Sequence, residues 1–173
     1  GISFVHPAKF TLVGTMNPEE GDIRPQLIDR FGLAVDVVGE STTAQRAEVI
    51  RRRLAFEKDP EAFKTSYEEE QERLVKGIVG AMDLLHRVTF GDKLLETAAR
   101  LSMEFGVDGH RADIVMIKTA MTIAAYHKRN AATVDDLKEA ASYVLPHRMR
   151  KRPFEESTLS MDFLEEKIGE IIA

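Results

Sequence analysis

The 173-residue chain contains no cysteine. Disulfide scaffolds, thiolate zinc sites, iron–sulfur clusters and cysteine nucleophiles are therefore excluded within it. No apolar run approaches the roughly 18 residues that a membrane span requires, and no secretory signal precedes the first charges. The expectation is a soluble, intracellular chain that does not engage a membrane. Phosphate-cradling loops are missing as well. None of the eleven glycines stands in G-x-x-x-x-G-K-[ST] or in G-x-G-x-x-G. The five histidines form no H-E-x-x-H pair, and neither Glu19-Glu20 nor Glu68-Glu69-Glu70 has a histidine companion, so no metal site is expected from this chain alone. The chain opens on Gly1 rather than methionine, which suggests a piece of a longer polypeptide.

What is present reads as globular: 43% apolar residues, 31% charged and six prolines. The formal charge of -5 is confined to the end of the chain. Residues 154–173 hold six acids and one base, and the other 153 residues hold 23 of each. No global field favours nucleic acid, which is not an expected partner. A basic run, His147 to Arg152, precedes the acidic tail. Its plain reading is a solvated or subunit-facing corner.

The first 40 residues read as strand, loop, short helix, strand, an α/β pattern. Phe10 to Thr15 is rich in aromatic and β-branched residues, and its near-continuous apolar run predicts a strand buried on both faces. Asn17 to Asp22 is a turn. Pro25 suits the first position of a short helix to Arg30, with Gly32 as its stop. Leu33 to Val38 is the second strand, ended by Gly39. Beyond it every segment reads as helix. Ser41, Thr42 or Thr43 caps a helix to about Phe56, and Asp59-Pro60 opens the next. Residues 60–87 carry Phe63, Tyr67, Leu74, Ile78, Met82 and Leu85 at helical spacing, with a break near Ser66. Helices follow from Asp92 to Phe105 and from His110 or Arg111 to Lys128. In the latter Ile114, Ile117, Met121, Ala124 and Ala125 face inward. Thr133 and Asp136 make a capping box for a helix stopped by Pro146, and 159–172 forms a last amphipathic helix. Met82, Met103, Met116 and Met121 are read as core gap-fillers.

Two parts result. Residues 1–39 are too few to stand as a sheet and read as the trailing edge of a larger α/β unit. Residues 40–153 are long enough to bury a helical core, and 154–173 is an acidic tail or terminal helix.

Four residues attract chemical interest. Asn17 lies just past the first predicted strand, where open α/β sheets bind ligands, and its amide can orient a water or hold a phosphate oxygen. It also serves simply as a turn residue before proline. Arg24 and Arg30 flank the short helix. A guanidinium at such an end can reach a neighbouring subunit and stabilise phosphoryl transfer, or pair locally with Asp29, Glu19, Glu20 or Asp22. Arg111 opens a helix after Gly106-Val107-Asp108-Gly109, placed to contact a phosphate, with Asp108 and Asp113 as the plain alternative partners.

The ordered stretch Gly14-Thr15-Met16-Asn17-Pro18-Glu19-Glu20-Gly21, followed by Arg24-Pro25-Gln26-Leu27-Ile28-Asp29-Arg30-Phe31-Gly32, closely resembles the AAA+ ATPase subunit (I subunit) of magnesium chelatase. Val107 to Asp113 and Leu145-Pro146-His147-Arg148-Met149-Arg150 look like the same family. The resemblance covers about residues 1–154. It implies the trailing, two- or three-stranded part of an AAA+ P-loop ATPase core over 1–39, then a helical lid domain. It implies that Asn17 is the sensor-1 asparagine, Arg30 the arginine finger acting on the next subunit's ATP, and Arg111 the sensor-2 arginine, with Arg24 near the nucleotide. The Walker A loop and the Walker B acids are absent, so the chain resembles a C-terminal fragment that alone neither binds ATP tightly nor hydrolyses it. For the parent, the family implies an enzyme using ATP and Mg2+ to drive Mg2+ insertion into protoporphyrin IX. Its implied partners are its own copies in a ring, a second AAA+ subunit with an integrin-like domain, and a large porphyrin-binding subunit, in the cytoplasm or plastid stroma. Related ATPases serving cobalt or nickel tetrapyrroles, remodelling or DNA-processing AAA+ motors, and a non-enzymatic interaction module are the alternatives.

Overall fold

A computed structural model describes residues 4–17, 19, 21, 23–149, 166 and 168–171. The helical segments form in chain order: α1 (Pro25–Ile28), α2 (Thr43–Lys58), α3 (Pro60–Ser66), α4 (Glu68–Leu85), α5 (Asp92–Glu104), α6 (Arg111–Tyr126) and α7 (Val134–Val144). Residues 166 and 168–171 are helical; the rest of the anticipated terminal helix, and Arg150 to Arg152 of the basic run, lie outside the described residues.

The local signals act as physical chemistry requires. Thr42 accepts from the Gln45 N–H at 3.3 Å and caps α2. Asp59 accepts from the Ala62 N–H at 3.0 Å, with Pro60 in the first turn of α3, where the missing N–H costs nothing. The break anticipated near Ser66 falls at Tyr67, which separates α3 from α4. α7 begins with the capping box of Thr133 and Asp136.

The predicted α/β part is corrected. Among the described residues there is no β-strand, and the single β-bridge joins Thr89 to Ala131 in the helical part. Residues 10–15 and 33–38 carry no regular secondary structure and pair with nothing in a ladder. Residues 10–15 are exposed where burial was predicted, with Val13 at 84%, and Val37 of the second run is exposed at 93%. The physical reason is that β-branched composition makes a segment fit to be a strand, while a strand forms only where neighbours satisfy its backbone groups. The two runs do not supply one another. The described part of the chain is helical, with an N-terminal arm outside the helical core that holds only the short α1.

The core lies where α5, α6 and α7 meet. Leu94, Ala98 and Leu101 of α5 pack with Ala112, Met116 and Ala120 of α6, and with Leu137, Ala140, Ala141 and Val144 of α7. The alanines let the helix axes of α6 and α7 approach closely. Ile168 seals the cluster from the C-terminal segment, and Arg100 donates to the Ile171 carbonyl at 2.7 Å.

Three readings of inward faces change. On α4 only Ala81 is buried, while Leu74, Ile78 and Met82 are exposed at 45%, 45% and 69%. Met82 and Met103 are surface residues, whereas Met116 fills the core. On α6, Ile117, Ala124 and Ala125 are buried as expected and Met121 is partly buried, whereas Ile114 is exposed and Ala112, Met116 and Ala120 join the buried face. A helical period identifies a stripe; which stripe is covered depends on partners that the period does not contain.

Candidate functional site

The loop before α6 sets the position of Arg111. Gly106 and Gly109 adopt φ of +64° and +74°, a region that side chains with a Cβ rarely enter. The Val107 N–H returns to the Ser102 carbonyl at 2.9 Å, closing α5. The chain then turns into α6 with Arg111 at its first position. From there the guanidinium crosses to the arm: Arg111 Nη1 donates to Asp29 Oδ2 at 2.6 Å and to the Asp29 carbonyl at 3.2 Å. Both partners are about half exposed, at 54% and 50%. The partner is thus Asp29, not Asp113, which faces His110 across 3.4 Å.

Asp29 immediately follows α1, whose N–H groups at Leu27 and Ile28 bond to the Arg24 carbonyl at 2.8 and 3.1 Å. The Arg24 side chain is exposed. Arg30 does not pair with Asp29. Its side chain is exposed and has no ion-pair partner among the described residues; Glu20 and Asp22, suggested as local partners, lie outside them. Asn17 is exposed in the arm before α1. The structure therefore brings Arg111 to the residue beside Arg30, and leaves Arg30 itself open.

A second anchor holds the same turn from the segment just past α7. The Arg148 side chain is almost fully buried, at 1% exposure, and its guanidinium is spread over backbone carbonyls. Nη2 donates to Phe31 O at 2.5 Å, and Nη1 donates to Gly32 O at 3.0 Å and to Val144 O at 2.7 Å. Nη2 also reaches Asp29 O at 3.4 Å, and Asp29 Oδ1 stands 3.6 Å from Nε. Beside it, His147 Nε2 lies 3.2 Å from Phe31 O and donates to it in the neutral tautomer that carries the proton there. The Ala34 N–H adds a bond to Tyr143 O at 3.0 Å. Burial lowers the pKa of His147, and the neighbouring Arg148 charge lowers it further, against the Phe31 carbonyl and Asp29, which raise it. Arg148 is also pushed down by burial, and the repulsion of Arg111 outlines a locally cationic cluster around one carboxylate.

The sequence reading of His147 and Arg148 as a solvated or subunit-facing corner is corrected: both turn inward onto the arm. A signal for this is present. Leu137, Ala140, Ala141 and Val144 form the buried stripe of α7, and Arg148 continues it four residues on. Asp29 appeared only as a local partner for Arg30, because a contact to a residue 82 positions away leaves no trace in local spacing.

Residues 95–167, which hold most of α5 and all of α6 and α7, match the model of the AAA lid domain. More particularly, the chain matches magnesium-chelatase ChlI-type subunits at 39–48% identity over most of its length. It is 48% identical over 98% of its length to the magnesium-chelatase subunit ChlI homolog of Methanocaldococcus jannaschii, covering 47% of that protein. It is 44% identical over 90% of its length to the magnesium-chelatase 38 kDa subunit of Chlorobaculum tepidum, covering 40% of it. The chain thus spans about half the length of the curated relatives it matches, or less. A crystal structure of a Cytophaga hutchinsonii protein is similar in fold, with a TM-score of 0.61 over 86% of this chain and 48% of that one, at 18% identity. Among the described residues, no helix is long and apolar enough to cross a membrane.

Proposed function

We propose that this chain is the lid and trigger portion of the ATPase motor of a metal chelatase, which couples ATP hydrolysis to insertion of Mg2+ into protoporphyrin IX. The observation that supports this best is the Arg111–Asp29 pair. A guanidinium opening a lid helix meets the turn that presents Arg30, so two cations of the kind that stabilise a transferring phosphoryl group are mechanically linked. The donor set suits a phosphate anion. Arg111 is half exposed and shares one exposed carboxylate, which a polyphosphate of higher charge can replace. Among the described residues no group of three or more His, Asp and Glu side chains converges to hold a metal ion. The chemistry proposed for this chain is that of arginine donors on phosphate oxygens.

In this reading Arg111 contacts the nucleotide of its own subunit as the lid closes. Arg30 acts on the nucleotide of a neighbouring copy, Asn17 orients the attacking water, and Arg24 lies near the phosphates. The phosphate loop that cradles ATP lies outside these 173 residues. A ring of copies, a second AAA+ subunit and a large porphyrin-binding subunit complete the machine, and the porphyrin chemistry belongs to the last of these.

The test uses the ATPase that contains this chain together with its phosphate loop. Arg30→Ala is expected to leave ATP binding within about twofold and to cut turnover on the order of 10³-fold, the scale of an arginine finger. Mixing it with subunits whose phosphate-loop lysine is replaced is expected to restore part of the turnover. Turnover unchanged by Arg30→Ala, or ATPase stimulated by DNA rather than by the porphyrin-binding partner, would overturn the reading.

A further inference from the structure

We infer that Arg148 is a positioning residue for Arg30, fixing from the lid the turn that carries it. This inference rests on the proposed role of Arg30. The observation is the placement of a full guanidinium, 1% exposed, against the backbone of three of the four residues from Asp29 to Gly32. A buried cation is costly to desolvate and persists only where several acceptors compensate it. Here those acceptors are carbonyls of the arm and of α7. The turn on either side of Arg30 is therefore gripped, while the Arg30 side chain is exposed. His147 to Phe31 O and Tyr143 O to Ala34 N–H extend the grip along the same segment. The arm residues involved form no strand. The turn is held by Arg111 at Asp29 and by Arg148 across Asp29, Phe31 and Gly32.

The consequence is directional. Arg148 sits in the lid of one subunit and does not act on that subunit's nucleotide. It acts through Arg30 on the nucleotide of the next. Lysine cannot substitute, because one ammonium on a flexible stem does not span carbonyls on both sides of the turn.

The experiment compares Arg148→Gln, Arg148→Lys and Arg30→Ala in the full ATPase, alone and mixed with subunits lacking the phosphate-loop lysine. Arg148→Gln and Arg148→Lys are expected to lower kcat roughly 10- to 100-fold, as misplacement of a reacting group by about an ångström does. KM for ATP is expected to stay within about twofold. The mixture is expected to regain activity, because the partner subunit supplies a well-placed Arg30. Near-UV circular dichroism and oligomer size identify a variant that fails to fold, and the lysine variant, which keeps the charge, then carries the test. An undiminished kcat in Arg148→Lys, or a loss in either folded variant that mixing does not relieve, overturns the inference while leaving the Arg30 reading intact. An unchanged kcat in Arg30→Ala defeats that reading first.

Discussion

Replacing Asp29 by asparagine tests whether the Arg111–Asp29 pair is a resting contact that nucleotide must break. The pair is short, at 2.6 Å, but both members are about half exposed. Exposed ion pairs of this kind contribute about 0.2–1 kcal/mol. If Arg111 has to leave Asp29 before it binds phosphate, ATP affinity is lowered by the same free energy, which is about 1.4- to 5-fold. Asp29→Asn is therefore expected to tighten ATP binding by that factor in the ATPase containing this chain. Thermal stability should fall by no more than about 4 °C. The asparagine keeps an oxygen for Arg148 and leaves the Asp29 carbonyl bonds in place. Titration with a fluorescent ATP analogue at low and high salt is the assay. The gain is expected to shrink as salt rises, because screening already weakens an exposed pair in the wild type. In an Arg111→Ala background the gain is expected to vanish, since no pair remains to be broken. Weaker ATP binding in Asp29→Asn, or an equal gain without Arg111, would refute the competition.

Two further outcomes concern stability. Asp136 is 3% exposed and joins the bidentate Arg129 guanidinium to the Thr133 cap. Burial raises its pKa, but Arg129 and the Thr133 N–H and hydroxyl outweigh burial and hold the carboxyl below its usual range. Its folded pKa being lowered, its contribution is present above the unfolded value of about 3.9 and is lost as pH falls through the folded one. Asp136→Ala is expected to cost about 2 kcal/mol at pH 7 by chemical denaturation, and wild type and variant should converge in acid. His147 acts in the same direction, but in a window near neutrality. Its folded pKa is also lowered, so the unfolded chain takes up the proton first. Stability is expected to fall as pH drops below about 6.5, down to the folded value. His147→Gln keeps a donor toward Phe31 O but does not titrate, so its melting temperature should fall less between pH 7 and pH 5; an equal fall would refute the role of His147.

The helical part was legible because its signals are local. Thr42, Asp59-Pro60 and the Thr133–Asp136 box act within one turn of chain, and the glycines at 106 and 109 act on their own backbone. The strands were not, because Phe10 to Thr15 carries the composition of a strand without the neighbours that make one. The candidate site was legible only in part. The local setting of Arg111 after a glycine turn and of Arg30 at the end of a short helix left plain pairing open, and their proposed roles on phosphate came from the family resemblance. The residues that join them, Asp29 and Arg148, were read as local or solvated charges, because charge on a sequence is taken for solvent exposure. Arg148 is charged and buried, and only the three-dimensional placement of the arm's carbonyls gives the reason.

The electrostatics of the junction also bear on why a single aspartate suffices to hold it. Arg111 and Arg148 converge on Asp29, and Arg30 follows it directly. One carboxylate does not neutralise both Arg111 and Arg148, which leaves a repulsion between them. Arg148 cannot relieve it, being buried and committed to backbone. Arg111 can, being half exposed and bound mainly through one oxygen. An arriving polyanion would therefore draw off Arg111 first, leaving Asp29 to Arg148 and the turn still gripped. In the proposed reading, Arg111 changes partners while the turn carrying Arg30 keeps its place, as a hydrolysis site shared between subunits would require.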